Sequence, residues 1–510
     1  MTNARGPFIL TLCREYGLWV GLIMVMMACL YGAVSGPIQW LDSGTFLVNA
    51  AQLPLLVTQQ SPTFHPFYHL LTVVMHRLFG PLGVTHLNFL LTIPVGVAVA
   101  GLSRTIGINK PGSYVAVLAV LLANNVYWVA TKVEVYTLHL LLILLLYWLA
   151  FLPRKNWHGL VMGVLAGLAL STHQLTLVVC FPLVMYWLLT ERWRLWPMIL
   201  GGLVGLIPLY PAFWGTDYGL IDTFLFLIAS RVPHVSGEST LFRFDAIPYN
   251  MPYIALLIPS IIGFPLFGLY PARFTRMQWV LWGGGLFNLV FAISFNAPDR
   301  FQFCLPGIAI LAVLGVQTWL KWVPLRSFSS HLLTLLLVLL PPIVAVGVYA
   351  LTLGNLIALP KHKVSLPFRN DVAYFMVPYW PDHSASQFVT AYDAQVPTGQ
   401  MVLADRTIMQ AFLSAQLIGR FKGRILVDID ALACHPSFRA THTIAAHHGL
   451  ILTVPPDATD APATTTPPPF PSGLRDTIHI IRYEALISPW YDLQPAPIGW
   501  VGTKKQGPPL

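Results

Sequence analysis

Asp42, His65, Lys132, Glu134, Tyr136 and His173 are the side chains in this sequence whose types and spacing could do chemistry. They lie in five short polar clusters, Trp40-Leu-Asp42-Ser-Gly44, His65-Pro66, His86-Leu-Asn88, Lys132-Val-Glu134-Val-Tyr136 and Thr172-His173, each beside a strongly apolar run. An ionisable group next to hydrocarbon is costly, so several gathered at the ends of apolar segments read as a site. A carboxylate at Asp42 can take a proton from an acceptor hydroxyl as a general base. Lys132 can hold a phosphate as a point charge, and Glu134 can orient an acceptor or share the base role.

Each residue also has a plainer reading. Asp-Ser-Gly is common turn chemistry, with Ser43-Gly44 letting the chain turn sharply, and Asp42 could simply cap a helix. Lys132 and Glu134 could form a local salt bridge beside an interfacial Tyr136. His65 and His173, each near a helix end, could be hydrogen-bonded structural residues. Arg231 in a polar loop, and Arg300 beside Asp299 between two apolar runs, add cations suited to gripping a lipid phosphate.

The elements that must position these residues are membrane helices. Apolar residues make up 56% of the 510 and charged residues 10%, with a mean hydropathy of +0.66, outside the range of soluble globular chains. Runs of about 17 to 25 apolar residues mark about eleven spans, near 16–34, 85–104, 113–131, 135–152, 157–172, 175–190, 196–214, 251–271, 278–296, 302–320 and 331–353. In lipid such segments must be helical, because an open strand edge leaves backbone groups unsatisfied.

Basic residues orient the chain. With the N-terminus inside, inner loops hold Arg104 and Lys110, Arg154 and Lys155, Arg192 and Arg194, Arg273 and Arg276, and Lys321 and Arg326. That places Asp42, His65, Lys132, Glu134, His173, Asp299 and Arg300 together on the outer face, as suits an enzyme taking substrates at one interface. The net charge of +9 then reflects topology and anionic lipid rather than nucleic-acid binding. The localisation expected is a bacterial inner membrane, with the N-terminus cytoplasmic and the C-terminal domain periplasmic.

Two domains are expected. Residues 1–353 form the membrane body, with outer loops 35–84 and 215–250; the first contains a helix-like apolar stretch, 67–79, suited to lie along the interface. Residues 354–510 read as a small α/β domain, with strands near 400–405 and 424–428 around a helix at 406–420, further strands near 449–454 and 477–483, and a Pro/Thr-rich loop at 455–473. Five scattered cysteines, one of them in the tail, offer no disulfide framework.

Taken in order, five motifs resemble a family of multispanning membrane proteins first catalogued as a domain of unknown function. That family includes a vertebrate protein O-mannosyltransferase and belongs to the GT-C glycosyltransferases. The motifs are Trp40-Leu-Asp42-Ser-Gly-Thr-Phe46, His65-Pro66, Leu87-Asn88-Phe89, Trp128-Val-Ala-Thr-Lys-Val-Glu134-Val-Tyr136 and Gly167-Leu-Ala-Leu-Ser-Thr-His173. They cover about residues 1–180.

The resemblance implies a GT-C-like polytopic α-helical fold and transfer of a sugar, mannose in the vertebrate example, from a polyprenyl phosphate to an acceptor hydroxyl on the non-cytoplasmic face. It implies Asp42 as the base, with Glu134 and His173 at motif positions. The sequence departs at Thr45, where relatives often carry a second acid, and at Phe67, where a second proline is usual. The expectation is therefore a metal-independent, inverting transferase with no cofactor beyond its lipid-linked donor. Its partners are that donor, membrane lipid, a protein or glycan acceptor, and a membrane complex docking on the C-terminal domain. A catalytically silent subunit and a lipid-linked substrate transporter are the other classes considered.

Overall fold

A computed structural model describes residues 5–57, 65–153, 157–190, 195–213, 257–271, 273–294, 301–354, 366, 368–428, 444–447, 450–453, 477–480, 491–495 and 500–504. Arg231, Asp299, Arg300 and the loops 215–250 and 455–473 lie outside these residues. The chain divides into two compact units. One comprises residues 1–35, 52–365 and 370–382, and the other residues 36–51, 366–369 and 383–510.

The first unit is helical. Four of its described helices are long and apolar enough to cross a membrane: Pro66–Thr105, Arg276–Ser294, Leu305–Trp322 and Phe328–Leu353. A fifth span results if Lys110–Leu121 and Asn124–Ala130, bent by 72° at the break, count as one. Shorter apolar helices occupy Gly17–Gly32, Tyr136–Phe151, His158–Thr172, Leu175–Thr190 and Leu195–Gly205. By length and composition the described helices thus reach four or five spans, short of the eleven expected. The stretch expected to span near 251–271 is, where described, two short helices, Ile258–Ile261 and Phe264–Gly268, parted by Gly263 at φ 95°.

The segment expected as an interfacial helix runs directly into the following span. Pro66–Thr105 is interrupted at Gly80 (φ 64°, ψ −161°), a conformation natural to glycine, and Pro81 restarts the helix beyond it. Close packing elsewhere relies on small residues. Helix His158–Thr172 meets Leu195–Gly205 through Gly163 and Gly167 against Gly201 and Gly205, and a Cβ at Gly163 would collide with the Met198 carbonyl.

Leu305–Trp322 is buried along nearly its whole length. Its N-terminal end is clipped by Asn288, which donates to the Phe303 carbonyl at 3.0 Å and accepts from the Gly307 amide at 2.9 Å. That clip fixes Phe303, which reappears in the site. Residues 370–382 join the helical unit through side-chain bonds: Trp128 Nε1 donates to the Tyr374 carbonyl at 2.8 Å, and the Tyr379 hydroxyl donates to Asn124 at 3.0 Å.

The second unit holds an α/β fold. Its main sheet has the order Ile425–Asp428, Met401–Ala404, Thr477–Ile480, Trp500–Lys504, Tyr491–Pro495. Met401–Ala404 runs parallel to both its neighbours, with Met401 beside Ile425 and Ile478, whereas the last two strands join antiparallel. Between the first parallel pair runs helix Arg406–Leu417, a crossover of the kind parallel strands require, capped by Asp405 accepting from the Ile408 amide at 3.0 Å. The strand expected near 449–454 pairs with Ile444–His447 in a separate hairpin instead of entering the main sheet.

Residues 36–51, expected as part of the membrane body's first outer loop, pack with this second unit. Trp40 is almost completely buried, donates from Nε1 to Ser384 Oγ at 2.8 Å, and lies against the Phe388 ring with centroids 5.2 Å apart. The Gln39 amide donates to Ser414 Oγ at 3.3 Å. An anchor this apolar holds better in a packed core than at a wet loop.

Candidate functional site

Asp42 sits in the first turn of helix Leu41–Gln52, exposed, where a carboxylate is favoured by the helix dipole. The sharp turn expected at Ser43-Gly44 lies two residues before Ser43, at Leu41 with φ 52°. Gly44 serves close approach instead: a Cβ there would stand 2.7 Å from the Gln39 carbonyl oxygen and 2.7 Å from Gln410 Cβ. Thr45 turns its hydroxyl back onto the Leu41 carbonyl at 3.2 Å, a bond within the helix that an acid could not make when ionised.

In the helical unit four of the polar clusters come together. Asn88 holds the chain between two helices: its Nδ2 group donates towards the carbonyls of Val129 (3.2 Å), Lys132 (2.7 Å) and Glu134 (2.6 Å), while its oxygen accepts from Tyr68 at 3.4 Å. Two amide protons shared among three carbonyls make this a brace for the 129–134 turn. The Leu87-Asn88-Phe89 motif therefore has a local reason. His86, its neighbour, bonds the Leu82 carbonyl at 2.9 Å and lies against the Tyr31 ring with centroids 5.5 Å apart.

The turn itself is packed inside the helical unit. Lys132 and Glu134 are both buried. Lys132 donates from Nζ to Ser35 Oγ at 2.8 Å and lies 4.9 Å from the Tyr374 ring centroid, an arrangement in which the ring face stabilises the cation. The phosphate candidate thus already has protein partners.

Beyond Glu134 the chain enters helix Tyr136–Phe151, and its first turns face a group of imidazoles. His65 and His173 stack with centroids 5.1 Å apart and planes 17° from parallel. Tyr136 lies 5.2 Å from His173, His139 5.5 Å and Phe303 5.8 Å, each tilted. His139 was not among the residues singled out from sequence. Its signal was available: it lies three residues after Tyr136 on the same helix face, within an otherwise apolar run, where an ionisable residue is a site candidate by default.

The hydrogen bonds assign the tautomers. His65 Nδ1 lies 2.8 Å from the Thr172 carbonyl, which can only accept, so Nδ1 carries the proton. The Leu175 amide donates to His173 Nδ1 at 3.1 Å, so the His173 proton is on Nε2. Thr176 gives its hydroxyl proton to the His173 carbonyl at 2.8 Å, leaving its oxygen to accept from His139 Nε2 at 3.0 Å. Nδ1 of His139 is buried without a hydrogen-bond partner among the described residues.

Burial depresses the His65 pKa to about 4, partly offset by the Thr172 bond, so the ring is neutral at pH 7. His173 is held well below the usual histidine range, first by burial and then by the proximity of His65 and His139. Among the described residues no group of three or more His, Cys, Asp or Glu side chains has the arrangement to hold a metal ion.

No family model matches the chain, and no curated protein matches it. Solved structures do. The apo ArnT of Cupriavidus metallidurans is similar over 95% of this chain and 97% of its own, with a TM-score of 0.53 at 15% identity. The same protein bound to undecaprenyl phosphate gives 0.47 at 14% identity, covering 88% of this chain and 97% of that one. The archaeal oligosaccharyltransferase AglB from Archaeoglobus fulgidus, in complex with an inhibitory peptide and a dolichol-phosphate, gives 0.44 at 9% identity, over 81% and 65%. At these values only the first likeness bears on the fold. It is a likeness of fold along nearly the full length of both chains.

Proposed function

We propose that this protein is a membrane glycosyltransferase moving a sugar from a polyprenyl-phosphate carrier to an acceptor hydroxyl. The observation that carries the reading is the convergence, inside one helical unit, of Asn88, Lys132, Glu134, Tyr136, His65 and His173, residues of the motifs on which the resemblance to such a family rests.

The chemistry is a direct displacement. A carboxylate takes the proton of the acceptor hydroxyl, the oxygen attacks the anomeric carbon, and the bond from that carbon to the carrier phosphate breaks, the phosphate keeping the electron pair. The anomeric centre inverts. Asp42 is proposed as the base, being an exposed carboxylate in the first turn of its helix, with Glu134 as a second acid orienting the acceptor. Arg231, Asp299 and Arg300 are proposed as substrate-binding residues, the two arginines as the cations for the departing phosphate. Lys132, tied to Ser35 and Tyr374, is assigned chiefly to holding the turn. The donor is taken from the periplasmic side of a bacterial inner membrane, and no metal is required.

The test is mass spectrometry of glycans and glycoproteins from cells carrying the wild-type or the Asp42→Asn protein. A hexose-sized product present only with wild type supports the reading. Product unchanged in the variant removes Asp42 as base, and a product retaining the donor's configuration removes direct displacement.

A further inference from the structure

Basic residues from three loops expected on the inner face meet at one end of the helical unit. The Ile106 carbonyl, between Arg104 and Lys110, accepts from Gln278 Nε2 at 3.4 Å and from Gln317 Nε2 at 2.9 Å, so this turn sits between the start of Arg276–Ser294 and the end of Leu305–Trp322. Gly112 packs so closely on Leu320 that a Cβ there would collide with it. Ser330, in the capping box of Phe328–Leu353, accepts from the Arg326 amide at 3.2 Å, and Thr334 on that helix accepts from Trp319 Nε1 at 3.0 Å. Arg104, Lys110, Arg273, Arg276, Lys321 and Arg326 are thereby gathered, all exposed. This end is remote from the His173 group, because Phe303 precedes helix Leu305–Trp322, Lys321 closes it, and its 18 residues rise about 27 Å.

Nothing in the chain balances these charges. Among the described residues no carboxylate pairs with Arg104, Arg273, Arg276, Lys321 or Arg326. Three helices, Lys110–Leu121, Arg276–Ser294 and Phe328–Leu353, begin at this end without an acid in the first turn, and the first two begin on a cation. A helix N-terminus is the positive end of its dipole, so Lys110 and Arg276 stand where a carboxylate is favoured and a cation is not. That placement calls for an anion from outside the chain. The rim of the cluster carries exposed amphipathic rings: Tyr270 and Trp322 lie 6.1 Å apart, and Trp279 lies 5.3 Å from Trp282, whose Nε1 donates to the Leu269 carbonyl at 3.3 Å. Rings of this kind sit at the level of lipid headgroups.

We propose that this end of the helical unit binds anionic phospholipids of the bilayer, the cations taking the phosphates while Tyr270, Trp279 and Trp322 seat the glycerol and the upper acyl chains. The site goes beyond sugar transfer and stands without it. A zwitterionic headgroup brings its own cation into a cluster that is already positive, and so gains little there. Free phosphate has the charge but no chains for the rings to cover.

The test titrates full-length protein in detergent with dioleoylphosphatidylglycerol or dioleoylphosphatidylcholine and reads bound lipid by native mass spectrometry. Wild type should bind phosphatidylglycerol about tenfold or more tighter than phosphatidylcholine. Arg276→Gln and Lys321→Gln should each lose about fivefold in phosphatidylglycerol affinity, and Lys321→Arg, which keeps the charge, less than about twofold. Arg420→Gln, in the second unit, should bind as wild type does. Replacing Arg273, Arg276, Lys321 and Arg326 together by Gln should erase the preference, and should that protein fail to fold, the single variants decide. Equal binding of the two phospholipids, or a preference unchanged in the folded single variants, overturns the proposal. So does displacement of bound phosphatidylglycerol by equimolar inorganic phosphate, which makes this a site for free anions, or by equimolar undecaprenyl phosphate, which gives it to the sugar carrier.

Discussion

The indole Nε1 of Trp40 donates to Ser384 Oγ across 344 residues of sequence, at 2.8 Å. The short helix bearing Asp42 is therefore packed as part of the C-terminal unit, on Phe388, Gln410 and Ser414, rather than lying as a free loop. The proposed base depends on that unit. Trp40→Ala should destabilise it by about 3–5 kcal/mol, as truncation of a buried aromatic does, and Ser384→Ala by about 1 kcal/mol. Limited proteolysis of residues 383–428 reads the difference. Equal resistance in wild type and Trp40→Ala would show that the anchor contributes little.

Asn88 should matter as much to the turn as any residue within it. Replacing it by Leu removes the amide that serves the Val129, Lys132 and Glu134 carbonyls, leaving buried acceptors that cost about 1–3 kcal/mol each where no other donor reaches them. Thermal unfolding in detergent should show a lowered midpoint, and transfer should fall with it. Asn88→Asp should be nearly as harmful, since an ionised carboxylate has no proton to donate.

Acid should unsettle the histidine cluster. His65 is neutral in the folded state, with its pKa lowered from 6.5 to about 4. Between these values the unfolded chain binds the proton more readily, so the stability this ring contributes is complete above about pH 6.5 and is lost as pH falls to about 4. His173, lowered further, acts in the same direction. Unfolding midpoints measured from pH 7 to 4 should decline in wild type and decline less steeply in His65→Phe. Parallel curves would remove His65 from the acid response.

Lys132 separates a structural cation from a phosphate-binding one. Its Nζ is bonded to Ser35 and lies over Tyr374, so Ser35→Ala and Tyr374→Leu should each lower the unfolding midpoint, and Lys132→Ala more than either. Affinity for undecaprenyl phosphate should change less than threefold in Ser35→Ala. A selective loss of lipid affinity in a Lys132→Ala protein of unchanged stability would return Lys132 to the phosphate site.

Much of this architecture was legible from sequence, for physical reasons that also mark where it stopped. Apolar runs such as 331–353 must become helices, and Phe328–Leu353 is one. The parallel strands around 406–420 were visible because a short apolar run, a capping Asp405 and a second apolar run follow each other directly. Strands Tyr491–Pro495 and Trp500–Lys504 were missed, being too short and too polar to signal themselves without their neighbours.

At the site, residue types near Glu134 and His173 were readable, but burial was not. Lys132-Val-Glu134 looks like an exposed turn until Asn88, more than forty positions away, supplies the bonds that let it be buried. Tertiary partners likewise decided that Ser43-Gly44 is helical and that His139 belongs with His173.

The central claim is sugar transfer from a polyprenyl phosphate, and the most direct measurement is a purified reaction. Full-length protein in nanodiscs is given undecaprenyl-phosphate [³H]mannose and a membrane extract from cells lacking the gene, and label is followed from lipid into acceptor. The account predicts transfer by wild type, reduced about 10²-fold or more in Asp42→Asn and in Glu134→Gln, with undecaprenyl phosphate released in step. Label that stays on the lipid with wild-type protein across mannose, glucose and galactose donors, or transfer that is unchanged in both variants, would contradict it.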